Sequence, residues 1–379
     1  MRVRSLATVL GTSFLLAAAL LRCSVPPPPP PQQALATPYL RADIVTIDVP
    51  DGATVDRSAL AASLRDMKVN GVILRTSANE AGEHIAERVS LAVDLQAALG
   101  ENGFVLIGTY EASAHKLNGK PIDVLLQKDP TFDKCYAPNG PSLGADLLNV
   151  DKLRVCSQNI AQKIADELTR LNASPQIGCY VSQQPQLVDA LSDEGETKLH
   201  ELLRDAAGPC VNAKRLVAFS PLLSTSTVDP DRASVLLRDV VKDTGIRFTI
   251  LQDGVGTADP SKPDRAKQYY LALRVALDDR DDLKMKVWAN TEAFECETPA
   301  CDRTHPTNSD RYLKQLCAAR RRVEGIVTTE YIHDLAGQPL ATGDLDASAD
   351  LRAIANDTDA SAQLRRAYLE WSDAGTPCK

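Results

Sequence analysis

Histidine is scarce in this chain. There are five in 379 residues, and none of His84, His115, His200, His305 and His333 stands at a metal-ligand spacing from another. No Cys-x-x-Cys occurs, so neither a metal site nor a cofactor is expected. Aromatic residues make up only 4%, which points to a short binding cleft and not a long stacked one. Cationic excess is missing too. The formal net charge is −8, and a phosphate backbone is bound by clustered Lys and Arg, so nucleic acid is not expected as a partner. The one basic run, Arg320-Arg321-Arg322, closes a helical stretch, where a cation favours the negative end of the helix dipole. Beyond Leu21 no apolar run approaches the roughly 20 residues that a membrane span needs. No Gly-x-Gly-x-x-Gly turn follows an early strand, which removes the mark of an open dinucleotide-binding sheet.

The first residues carry a different signal. Met1-Arg2-Val3-Arg4 precedes an apolar stretch from about Leu6 to Leu21, and charge followed by a short apolar segment is the pattern of a bacterial export signal. Leu20-Leu21-Arg22-Cys23-Ser24 resembles a lipoprotein box, although Arg22 stands where a small residue normally precedes the cysteine. Six prolines, Pro26 to Pro31, follow. With φ fixed and no N–H to donate, they form an extended, stiff spacer. The expected organisation is therefore a signal over residues 1–23, a proline-rich tether over 24–38 and one folded domain over 39–379. This implies an exported protein, periplasmic or tethered to the outer membrane through Cys23.

The cysteines fit an oxidising compartment. Setting Cys23 aside leaves an even set of eight: Cys135, Cys156, Cys179, Cys210, Cys296, Cys301, Cys317 and Cys378. Pairing near neighbours gives Cys135–Cys156, Cys179–Cys210, Cys296–Cys301 and Cys317–Cys378. Eight cysteines allow 105 pairings, so this is one choice among many.

Eight short apolar runs each end in polar residues, and a helical stretch follows nearly every one. The runs cover residues 43–48, 71–76, 104–111, 176–181, 215–220, 247–253, 286–290 and 325–330. The helical stretches cover 56–68, 83–99, 153–171, 196–206, 232–242, 262–276, 310–322 and 360–371. Continuous apolar runs, without strict alternation, fit parallel strands buried on both faces. Strand and helix in eightfold alternation predict an α/β fold, a single-domain (β/α)8 TIM barrel.

In that fold chemistry sits at the strand tips. Asp253 and Glu292 end strands six and seven. Two facing carboxyl groups are what a glycosidase needs, one to protonate the leaving oxygen and one to attack or to activate water. Trp288 offers an apolar face for a sugar ring, and Asn290 and Gln252 offer amides to sugar hydroxyls. Glu111, after Tyr110, ends strand three and is a third candidate carboxylate. Arg75 and Tyr180 stand at equivalent tips. A plainer role is open to each: Asp253 can cap the Gly254 turn, and Glu292 can pair with a surface arginine. A metal-dependent hydrolase would need histidine at the tips, where it is almost absent.

Tyr110-Glu111, Ser220-Pro221-Leu222, Gln252-Asp253-Gly254-Val255-Gly256 and Trp288-Ala289-Asn290-Thr291-Glu292-Ala293-Phe294 resemble a bacterial family of glycoside-hydrolase-like TIM barrels, mostly known as a domain of unknown function. The resemblance spans roughly residues 40–335. Related glycosidase barrels carry the acid/base carboxylate at the end of strand four and the nucleophile at the end of strand seven. Glu292 matches the nucleophile. At strand four, Tyr180-Val181-Ser182-Gln183-Gln184 has Gln184 where the family commonly has glutamate, and an amide cannot exchange a proton with a leaving group. The resemblance therefore implies either a glycoside hydrolase of a polysaccharide or oligosaccharide, with Asp253 or Glu111 as its acid, or a protein that binds or helps assemble sugar chains without cleaving them.

Overall fold

The structure, a computed structural model, describes residues 42–48, 54–75, 85–109, 116–117, 120–121, 150–181, 193–221, 229–252, 263, 266–278, 285–296, 304–320, 322–329, 341–342, 358–374 and 378. All of them belong to the compact unit Leu40–Lys379. The expected signal and tether lie outside the described residues.

Eight parallel strands close into a barrel: β1 Ala42–Asp48, β2 Gly71–Arg75, β3 Phe104–Gly108, β4 Ile177–Val181, β5 Val217–Phe219, β6 Phe248–Gln252, β7 Lys286–Glu292 and β8 Gly325–Thr329. Each pairs in parallel with its neighbours in sequence, and β8 closes on β1 with Ala42 opposite Gly325. Among the described residues eight helices alternate with them: α1 Arg57–Asp66, α2 Ile85–Leu99, α3 Val150–Arg170, α4 Asp193–Asn212, α5 Pro230–Val241, α6 Lys267–Asp278, α7 Ser309–Ala319 and α8 Thr358–Ala374. The expected (β/α)8 barrel is the observed fold.

The local chemistry sets the helix ends. The Asp56 carboxylate accepts from Ala59 N–H at 2.9 Å and caps α1. Pro230 begins α5, where a missing N–H costs nothing, and Asp229 caps it. Asn308 accepts from Arg311 N–H at 2.8 Å and caps α7. At the other end of α7 the Arg322 guanidinium donates to the carbonyls of Ala318 at 2.8 Å and Cys317 at 3.3 Å, so this part of the basic run serves the helix end as expected.

Strand alternation splits the core in two. Outward residues such as Val45, Leu74, Ile107, Val287 and Ala289 join the helices in a large apolar cluster. Inward residues, among them Ile44, Leu106, Tyr180, Ile250 and Val327, fill the barrel. At its N-terminal end this interior has an aromatic floor. Phe248 and Trp288 stack with centroids 4.1 Å apart, and Phe104 lies 5.4 Å from Trp288. Glycines on neighbouring strands make the room. A Cβ on Gly71 would stand 2.3 Å from the Phe104 ring, and one on Gly325 would stand 2.5 Å from Trp288 Cδ1.

Two of the expected disulfides are present. Cys179 on β4 bonds Cys210 on α4, and Cys317 on α7 bonds Cys378. The other two expected pairs involve side chains outside the described residues.

Candidate active site

Strand β7 carries the site upward in layers. Trp288 faces inward with the barrel cluster, and Ala289 faces outward to the helices. Alternation therefore turns Asn290 and Glu292 inward as well, one and two layers above the floor. Glu292 is the last residue of the strand and pairs with Thr329 of β8, so it stands at the C-terminal mouth. On β6 the same alternation turns Phe248, Ile250 and Gln252 inward, and Gln252 lies directly beside Asn290 in the ladder. Glu292, Asn290 and Gln252 are all buried, the carboxylate at 2% exposure. A group buried in this way interacts with a bound ligand with little screening by water.

Hydrogen bonding orients the Gln252 amide. Ser220 Oγ donates to the Ile250 carbonyl at 2.9 Å, which leaves it to accept from Gln252 Nε2 at 2.8 Å. The amide nitrogen is thereby committed to Ser220, and the orientation of the amide oxygen is settled with it. Ser220 follows β5 and was legible only as part of a family motif. Its role as the group that orients Gln252 needed the fold.

The structure sets Asn290 beside Gln252 in the ladder, with Glu292 two residues further along the same strand. It corrects the role given to Trp288. The indole is 2% exposed and stacks with Phe248 and Phe104 in the floor, so it is packing and not the wall of a cleft. Its strand position explains this: four residues before the tip, it belongs to the lowest layer. Tyr180 is 4% exposed and packs in the same interior cluster, so it supports the mouth from beneath. Arg75 ends β2, paired with Asp48 of β1, and its side chain is outside the described residues. Asp253, Glu111, Tyr110 and Gln184 also lie outside them. Among the described residues no group of His, Cys, Asp or Glu could hold a metal ion, and no helix is long and apolar enough to cross a membrane.

One contributor carried no sequence signal. Arg311, on α7, is 4% exposed and donates from Nη2 to the main-chain carbonyls of Glu292 at 2.9 Å and Phe294 at 2.5 Å. Helical spacing alone marks it as one more arginine on an amphipathic helix.

Comparison with known proteins agrees with this architecture. Residues 154–342 match the model of a family described as a domain of unknown function, DUF4434, which takes in β4 to β8. No curated protein matches the chain. Among solved structures, a GH5_18 protein from Bifidobacterium longum subsp. longum ATCC 55813 is similar at 13% identity and a TM-score of 0.51, over 89% of this chain and 80% of that one. A GH5_18 protein from Streptomyces cattleya, in complex with GlcNAc, gives 13% identity and a TM-score of 0.48 over 84% and 74%. At such identity the likeness is one of fold. The resemblance read from the strand motifs is borne out as far as a family of unknown function and a barrel fold shared with a solved GH5_18 structure.

Proposed function

We propose that this protein is an exported glycoside hydrolase that acts on a polysaccharide or oligosaccharide, with Glu292 as its nucleophile or base. The observation that carries this reading is the position of Glu292. It is an inward carboxylate at the last residue of β7, above the paired amides of Asn290 and Gln252. In a barrel of glycoside-hydrolase type this end is the one that holds substrate.

Each residue then has a task. The Glu292 carboxylate attacks the anomeric carbon or removes a proton from the attacking water. Asp253 or Glu111 protonates the leaving oxygen. A retaining pair stands about 5–5.5 Å apart, and an inverting pair about 6.5–9.5 Å apart, to admit the water. Gln252 and Asn290 hydrogen-bond sugar hydroxyls, and Ser220 holds the Gln252 amide in one orientation. Arg75 and Tyr110 complete the wall of a short cleft.

The sequence favours a second reading. The family resemblance puts Gln184 where a strand-four glutamate is common, and an amide supplies no proton. On that reading the same barrel binds or helps assemble sugar chains without cleaving them. Export accords with both. Two disulfides among the described residues are at home in an oxidising compartment, which supports a periplasmic or outer-membrane-tethered protein with Cys23 as the lipid acceptor.

The test is release of reducing sugar from a panel of polysaccharides by the mature protein and by Asp253→Asn and Glu111→Gln. The hydrolase reading expects turnover by the native protein and, in whichever of the two variants removes the acid, a large fall in activity with loss of the alkaline limb of the pH profile. Tight binding of a panel member without any release would set the hydrolase aside in favour of the binding protein.

A further inference from the structure

The junction of β7 with α7 carries polar chemistry that the barrel mouth does not use. After Glu292 the chain leaves the barrel ladder and enters an antiparallel ribbon, Phe294–Cys296 against Thr304–Pro306. A strand that leaves its ladder below the surface needs other donors for its carbonyls. Three consecutive carbonyls are met from one short segment. Thr307 N–H donates to Ala293 O at 2.8 Å, and Arg311 Nη2 donates to Glu292 O at 2.9 Å and Phe294 O at 2.5 Å.

The guanidinium is itself held in place. Its Nε donates to Thr307 Oγ1 and stands 2.9 Å from Glu295 Oε1, while Thr307 Oγ1 donates to the same carboxylate oxygen at 2.5 Å. The Arg311 main chain is anchored by the Asn308 cap. Next to it, Tyr312 Oη lies 2.6 Å from Thr328 Oγ1, which lies 3.3 Å from Thr291 Oγ1. Both sides of Glu292 are therefore tied to α7.

A buried cation is costly unless it is paired and fully hydrogen-bonded. Apolar side chains would brace a helix on a strand end without that cost. What they could not do is fix the direction of a carbonyl. A planar guanidinium can, because its donors diverge in a rigid fork, and a lysine ammonium cannot, because it is a single rotating point. We propose that Arg311 is the positioning residue of Glu292, its buried guanidinium holding the end of β7 so that the carboxylate is aimed into the barrel mouth. The proposal rests on Glu292 being the reacting carboxylate.

The test compares full-length native protein with Arg311→Lys and Arg311→Met, each assayed well below its thermal midpoint. Positioning predicts that kcat falls by about tenfold to a hundredfold in both, since a misplacement of about 1 Å has that effect, while KM changes little. A role in stability alone predicts a lowered midpoint with native kcat and KM in the folded fraction, and that result overturns the proposal. Crystal structures of the two variants decide the matter even if the native protein turns nothing over. Displacement of the Glu292 carboxylate in Arg311→Lys supports positioning, and an unmoved carboxylate refutes it. An inactive native protein with a displaced carboxylate in the variants counts against the hydrolase reading and leaves the positioning claim standing.

Discussion

Replacing Trp288 by alanine separates a floor residue from a sugar platform. The indole is buried, stacks on Phe248 at a centroid distance of 4.1 Å and on Phe104 at 5.4 Å, and fills the space left by Gly325. Nothing beneath it can move up to replace it, because the barrel backbone is fixed by eight ladders. The loss should therefore lie in the usual range for removing a core tryptophan, about 3–5 kcal/mol, with the two aromatic contacts supplying roughly 0.5–1.5 kcal/mol each of that. An unfolding entropy of about 2.1 cal/mol/K per residue over a unit of roughly 340 residues comes to about 0.7 kcal/mol/K. The midpoint should then fall by roughly 4–7 °C. Differential scanning calorimetry reads this directly, and titration calorimetry with an oligosaccharide at low temperature reads affinity on the folded protein. The expected result is a lowered midpoint with sugar affinity nearly unchanged. An unchanged midpoint with affinity down by an order of magnitude would refute the floor assignment and restore Trp288 to the cleft.

Other perturbations test other parts of the account. Gly325→Ala drives a Cβ to 2.5 Å from the Trp288 ring and should cost about 1–3 kcal/mol by chemical denaturation, because the floor is already full. In the denatured, unreduced protein few thiols should react, and Cys378→Ser, which opens the bond to Cys317 across 61 residues, should cost about 2–5 kcal/mol by the same assay. Cys23→Ser should move the protein from the membrane fraction to the soluble one; a native N-terminus that begins at Leu20 would rule the anchor out.

The barrel was legible because its signal is redundant. Each strand is a continuous apolar run, and each helix repeats its apolar face at helical spacing, so an error of a residue or two at any end leaves the alternation intact. The ends are less sharp: the apolar run of strand seven stops at residue 290, while the strand itself runs on to Glu292 through a polar Thr-Glu tail that carries no apolar signal. Tip residues were legible by position but not by depth. Trp288 and Asn290 share a face with Glu292, and only the register with Ile250 and Gly325 reveals that the indole lies at the bottom of the barrel. Arg311 was illegible for a different reason. Its partners are main-chain carbonyls, which every residue possesses, so no side-chain pattern announces them. Ser220 is an intermediate case: its place after strand five was plain, while its bond to Gln252 on another strand depends on barrel closure.

The central claim is that Glu292 is the reacting carboxylate, and Glu292→Gln tests it most directly. The amide keeps the shape of the side chain and its hydrogen-bonding reach while removing the charge that attacks carbon or accepts a proton. With a polysaccharide that the native protein cleaves, the account predicts that turnover falls by at least about a thousandfold, on the order of 4 kcal/mol of transition-state stabilisation, while oligosaccharide affinity stays within a few-fold of native. Turnover that survives the substitution at near-native rate would contradict it.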